Sequence, residues 1–141
     1  TLTMQVFDAL RFTAIDFHKM LQARSKFYDQ ARAFFETCDL LLTPTMPVGA
    51  WPVEPGVEEG PGEIGGRKVG HNLFDRVPFT FPHNQTGYPA ITVPAGFTAG
   101  GLPVGLQIVG RRRQEAAVLA AAAAFEQAAP WAARIPPTVG G

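Results

Sequence analysis

Nucleophilic chemistry needs an activated hydroxyl, thiol or amine with a base beside it, and this sequence offers few candidates. Ser25 is its one serine, followed directly by Lys26. Neighbours on a helix point in different directions, so that pair is not arranged as nucleophile and base. Cys38 is the single cysteine, and His83 is the base that the fold could bring to it, although a thiol at the end of a helix is more often a packed apolar group. His18 and His71 stand apart from both, and no pair of His, Cys or carboxylate has metal-ligand spacing. Glu58-Glu59 sits among Gly and Pro, where solvated surface is the ordinary place for two carboxylates. Gly65-Gly66-Arg67-Lys68 lacks both the spacing of a phosphate loop and the Ser/Thr after its lysine. No metal and no cofactor is therefore expected.

The elements that would hold such groups are legible in outline. Thr13 can cap a helix over 13–37, with Asp16 in its first turn. Phe17, Met20, Leu21, Phe27, Tyr28, Ala31, Phe34 and Phe35 recur along it at helical spacing, while Lys19, Lys26, Arg32 and Glu36 lie off that stripe. A stripe so rich in Phe is expected to pack into a core. Residues 39–43 read as a strand buried on both faces and ended by Pro44. Residues 44–73 carry dense Pro and Gly without a period and read as a long loop, anchored by Trp51 and mobile near Glu58–Gly66.

Asn84-Gln85-Thr86-Gly87 reads as a turn in which Gly87 takes positive φ. Strands follow over 90–94, closed by Pro94, and over 104–110, with Gly96, Gly100 and Gly101 punctuating a hairpin between them. Gly105 inside a strand signals close approach of another backbone. Arg111, Arg112 and Arg113 mark a solvated turn into an Ala-rich helix over 114–128 that Pro130 stops. The fold class is α/β.

Size and charge narrow the functions. A chain of 141 residues is one domain's worth, and 46% apolar with 17% charged content argues for a folded core. Lys+Arg and Asp+Glu are both 12, so no basic field draws nucleic acid or anionic lipid. No apolar run is long enough to span a bilayer, and the start lacks the pattern of a signal peptide. A cytoplasmic setting is expected, and one cysteine is compatible with it.

Ordered motifs give the sharpest indication. FFETCDLLLTPTMP, PHNQTGYPAITVPAGF, GLPVGLQIVG and the Ala-rich helix reaching Phe125-Glu126 and Pro130-Trp131 follow one another at set intervals. In this order they resemble the C-terminal portion of the amidase signature family, which hydrolyses amide carbon–nitrogen bonds with a Ser–Ser–Lys triad. The resemblance implies a large twisted mixed sheet with helices on both faces. It also implies that residues 1–141 are the C-terminal fragment of one amidase-type domain. The triad and the Gly/Ser-rich signature would lie upstream, leaving this chain inactive alone.

By the same resemblance, the chain supplies core and one wall of the pocket for a small-molecule amide, with Phe74, Val77 and Phe81 as wall candidates and Asn84 and Gly87 as a structural turn. In the glutamine-using members of the family, the tRNA-dependent amidotransferases, an Asp that holds the amino group of glutamine stands seven residues before this Asn. Val77 occupies that place here, with Asp75 two residues away. An apolar acyl group is the expectation. The alternatives are the glutamine-hydrolysing component of a tRNA-dependent amidotransferase and a non-catalytic interaction module. A split sheet is expected to expose a strand edge that pairs with the missing N-terminal part or with another copy.

Overall fold

A computed structural model describes residues 7, 9–52, 60–69 and 76–133. The chain divides into two compact units, Thr1–Thr37 and Cys38–Gly141.

The first unit holds helix α1, Ala14–Thr37. Its start is a reciprocal cap: the Asp16 amide donates to Thr13 Oγ1 at 3.2 Å, and the Thr13 amide donates to Asp16 Oδ2 at 3.0 Å. Two N–H groups that a helix end leaves without partners are satisfied in this way. Phe35 is buried and meets Phe34 edge-on, with ring centroids 5.2 Å apart. Most of the rest of the stripe departs from the sequence expectation of a core: Phe17 is 58% exposed and Met20 47%, while Tyr28 and Ala31 are half-buried. A single long helix and its lead-in have too little other chain within their unit to cover a stripe of that width.

The second unit is built on strands β1 (Leu40–Pro44), β4 (Ala90–Phe97) and β5 (Pro103–Gly110), with short strands β2 (Glu63–Ile64) and β3 (Arg67–Lys68) set apart from them. The main sheet runs in the order β1–β5–β4, and both pairings are antiparallel. Helix α2 (Phe81–Thr86) precedes β4, and α3 (Glu115–Ala128) follows β5.

One face of the sheet takes α3: Val93, Ile108 and Ala122 form the core there, joined by Leu40, Ile91, Leu106 and Phe125. Ile108 and Val109 in the central strand are the most deeply buried apolar side chains described. Burying a side chain of this size contributes about 1.5–3 kcal/mol. The small side chains of α3 let it lie close, and at Gly110 an added Cβ would collide with Val118 Cγ2.

Three expectations are corrected. β1 is not buried on both faces: Leu42 is 57% exposed, because β1 is an outer strand of the described sheet. Pro94 does not end its strand, whereas Pro44 is the last residue of β1, as expected. Thr45 still donates to the Gly105 carbonyl at 2.9 Å, so in the alternating ladder the donor that Pro44 lacks would face outward. Pro94 sits at a register shift next to Gly96, whose φ of 126° absorbs a bulge, and β4 continues to Phe97. Finally, Asn84–Thr86 are not an isolated turn but the last residues of α2. Gly87 closes that helix at φ 71°, donating to the His83 carbonyl at 2.8 Å.

Within the long Pro/Gly segment, Gly65 and Gly66 both take positive φ and join β2 to β3 as a two-residue hairpin. The ring of Trp51 lies against Gly60, where a Cβ would come within 2.9 Å of it. The three arginines form an exposed turn as expected. Arg111 is also tied back, its Nε donating to the Cys38 carbonyl at 3.2 Å and its guanidinium pairing with Asp39 at 3.0 Å.

Candidate functional site

The face of the sheet opposite α3 carries Thr43, Thr45, Thr92, Gly105 and Gln107, because side chains two apart along a strand share a face. Thr45 and Thr92 join through their hydroxyls at 3.2 Å. Gly105 makes room for that pair, since a Cβ there would stand 2.7 Å from Thr45 Oγ1 and 2.9 Å from Thr92 Cγ2. The close approach expected at this glycine is thus made by side chains across the face, not by a passing backbone.

Above this end of the sheet lies an open cleft of about 920 Å³. Thr45, Thr92 and Gly105 are among its lining, and the segment from Met46 to Trp51 forms a largely apolar wall. It is the right size for a small apolar molecule.

About 7 Å further along β5, the same face carries Gln107, which is only 3% exposed. Its amide nitrogen donates to Thr43 Oγ1 at 3.0 Å and to the main-chain oxygen of Phe79 at 2.8 Å. Phe79 stands between Val77 and Phe81, and the Phe81 amide donates to the Val77 carbonyl at 3.2 Å. This tight segment leads into α2, where Thr86 is buried and its hydroxyl donates to the carbonyl of Pro82 at 3.2 Å.

Of the wall candidates, Val77 and Phe81 are therefore brought together, both half-buried, on one turn. They do not line the cleft. Phe74, Asp75, His71, Glu58 and Glu59 lie outside the described residues. Asn84 is exposed near the end of α2, and Gly87 is the cap of that helix. Burial of the His83 ring pushes its pKa below the usual 6.5. Ser25 and Lys26 are both exposed on α1, away from either end.

Sequence reasoning missed Gln107 and Arg76, both buried polar residues. Gln107 carried a signal: it is the one polar residue in the run Val104–Val109, and a buried amide is retained where it has acceptors to serve. Among the described residues no three His, Cys, Asp or Glu lie close enough to hold a metal ion, and no helix is long and apolar enough to cross a membrane.

The Amidase family model matches residues 2–119. The chain belongs to that family. It is 40% identical over 129 residues to an acylamidase of Rhodococcus erythropolis, covering 92% of this chain and 26% of that protein. It is 37% identical over 131 residues to the A component of the glutamyl-tRNA(Gln) amidotransferase of Brevibacillus brevis, covering 89% of this chain and 24% of that one. Among solved structures it resembles a bacterial aryl acylamidase of the amidase signature family, with a TM-score of 0.81 and 33% identity over 92% of this chain and 26% of that one. The chain thus spans about a quarter of the length of the relatives it matches. The mixed α/β fold expected from the sequence is the fold of this family.

Proposed function

We propose that this chain is the C-terminal part of an amidase that hydrolyses a small amide with an apolar acyl group. It supplies core and pocket wall. The Ser–Ser–Lys triad belongs to the preceding part of the same polypeptide, and the chain alone is inactive. The observation that carries this reading is Val77: an aliphatic side chain, half-buried on the turn that Gln107 ties to the sheet, at the place where a glutamine-using relative is expected to carry an acid. Similarity to an acylamidase and an aryl acylamidase supports an apolar substrate. A cytoplasmic setting and pairing of the outer strands β1 and β4, with the rest of the enzyme or with another copy, go with this reading.

Similarity to a component of a glutamyl-tRNA(Gln) amidotransferase favours a second reading, in which glutamine is the amide cleaved. One assay separates them. The complete polypeptide is offered an aryl amide, an aliphatic amide and glutamine, and Val77→Lys is tested beside it. Cleavage of the apolar amides, reduced by Val77→Lys, supports the amidase reading. Efficient glutamine hydrolysis that Val77→Lys removes would overturn it in favour of the amidotransferase.

A further inference from the structure

We propose that Gln107 is a positioning residue for substrate selection: it holds the turn that carries Val77 and Phe81 at a fixed distance from the sheet. This rests on the reading of that turn as pocket wall. Gln107 sits in the middle of the central strand, between Leu106 and Ile108, where an apolar side chain would be the default. An amide buried in such a place costs free energy unless its hydrogens find acceptors. Both hydrogens of its nitrogen do. One goes to Thr43 Oγ1 on the neighbouring strand, an anchor within the sheet. The other leaves the sheet and ends on the Phe79 carbonyl, 28 residues earlier in the chain.

A carbonyl is rigid within its peptide plane, so a bond to it fixes the main chain on either side. Here those sides lead to Val77 and Phe81, which are themselves closed into one turn by their main-chain bond. Helix α2 then continues from Phe81, so the same bond sets where α2 begins. The amide acts through the wall and not on the substrate. Its loss is therefore felt as looser selection, since a wall displaced by a fraction of an ångström changes the fit of a bulky acyl group more than that of a small one.

The test uses the complete polypeptide with Gln107→Met, which keeps length and volume and removes both donors. Thr43→Val removes only the arm within the sheet. Gln107→Glu, of the same shape but with at most one hydrogen to donate, is the second variant should the methionine protein fail to fold. Hydrogen exchange over 77–81 is expected to speed up about tenfold in Gln107→Met, the scale of one lost buried hydrogen bond. KM for a bulky apolar amide is expected to rise, with kcat for a small aliphatic amide held within about twofold. Gln107→Glu is expected to move both readouts in the same direction. Thr43→Val is expected to lower Tm while exchange at 77–81 and the ratio of the two substrates stay at the parent's values.

Unchanged exchange over 77–81 in a folded Gln107 variant overturns the proposal, whatever the activity. Faster exchange with an unchanged substrate ratio overturns its role in selection. If the parent cleaves no amide, the amidase reading fails by itself, and exchange still decides whether Gln107 holds the turn.

Discussion

Gly110 and Val118 are in direct register: the last residue of β5 lies under a Val118 methyl so closely that the glycine has no room for a Cβ. That contact sets how near α3 approaches the sheet, and with it the packing of Ala122 on Val93 and Ile108.

Gly110→Ala is expected to destabilise the protein by about 1–3 kcal/mol, the usual cost of overpacking a core. Because the added methyl and Val118 Cγ2 compete for one space, Gly110→Ala with Val118→Ala should cost less than the sum of the two single changes by about 0.5 kcal/mol or more. Urea denaturation of the four proteins measures this. Strict additivity would mean that α3 shifts as a whole instead.

Gly87 closes α2 at φ 71° with open space where a Cβ would stand. The penalty of a side chain there is conformational and not steric contact. Gly87→Ala is expected to cost about 1–2 kcal/mol, and Gly87→Asn less, since Asn tolerates this region. Equal losses for the two would point to a packing effect.

The carboxyl of Asp16 is held below its ordinary 3.8, first by the Thr13 hydroxyl and then by the Thr13 amide. A depressed carboxyl contributes stability that is present above the unfolded value and lost as pH falls through the folded one. The cap of α1 should therefore be intact at neutral pH and fail only below about pH 4. In Thr13→Ala the Asp16 carboxyl is expected to titrate closer to 3.8, which carbon-detected NMR titration of that side chain reads directly.

His83 makes the opposite demand on pH from most histidines with a partner. Burial favours its neutral ring, so the folded pKa lies below 6.5. Between the folded value and 6.5 the unfolded chain binds more protons than the folded one, and stability rises with pH across that window. Thermal melts from pH 7.5 down to 5 should show the parent losing Tm faster than His83→Gln, with the difference opening below 6.5. Parallel curves would show that the ring gains no proton on unfolding.

Much of the second unit was legible because its signals are local. The Ala-rich run forms a helix over Glu115–Ala128 wherever it finds a face to cover. Gly87 announced its positive φ, and the Gly-punctuated link between β4 and β5 announced a hairpin. Pro44 closes β1 as expected, but Pro94 misled, because the rule that proline ends a strand holds only where the strand's missing donor faces a neighbour. Pro44 and Pro94 lie on the two outer strands, a fact of sheet order that adjacent residues do not encode.

By itself the sequence determined the family, through the order of its motifs, and the type of nearly every long element, through periodicity and composition. Through the family resemblance it also named Val77 and Phe81 as wall candidates, without showing what holds them. The tertiary structure decided what holds them. Gln107 reaches across 28 residues to the Phe79 carbonyl, and Gly105 yields its space to Thr45 and Thr92 on either side of it. Such relations depend on strand order and register. Those are settled by which apolar faces can be buried together, and no local pattern of residues carries that information.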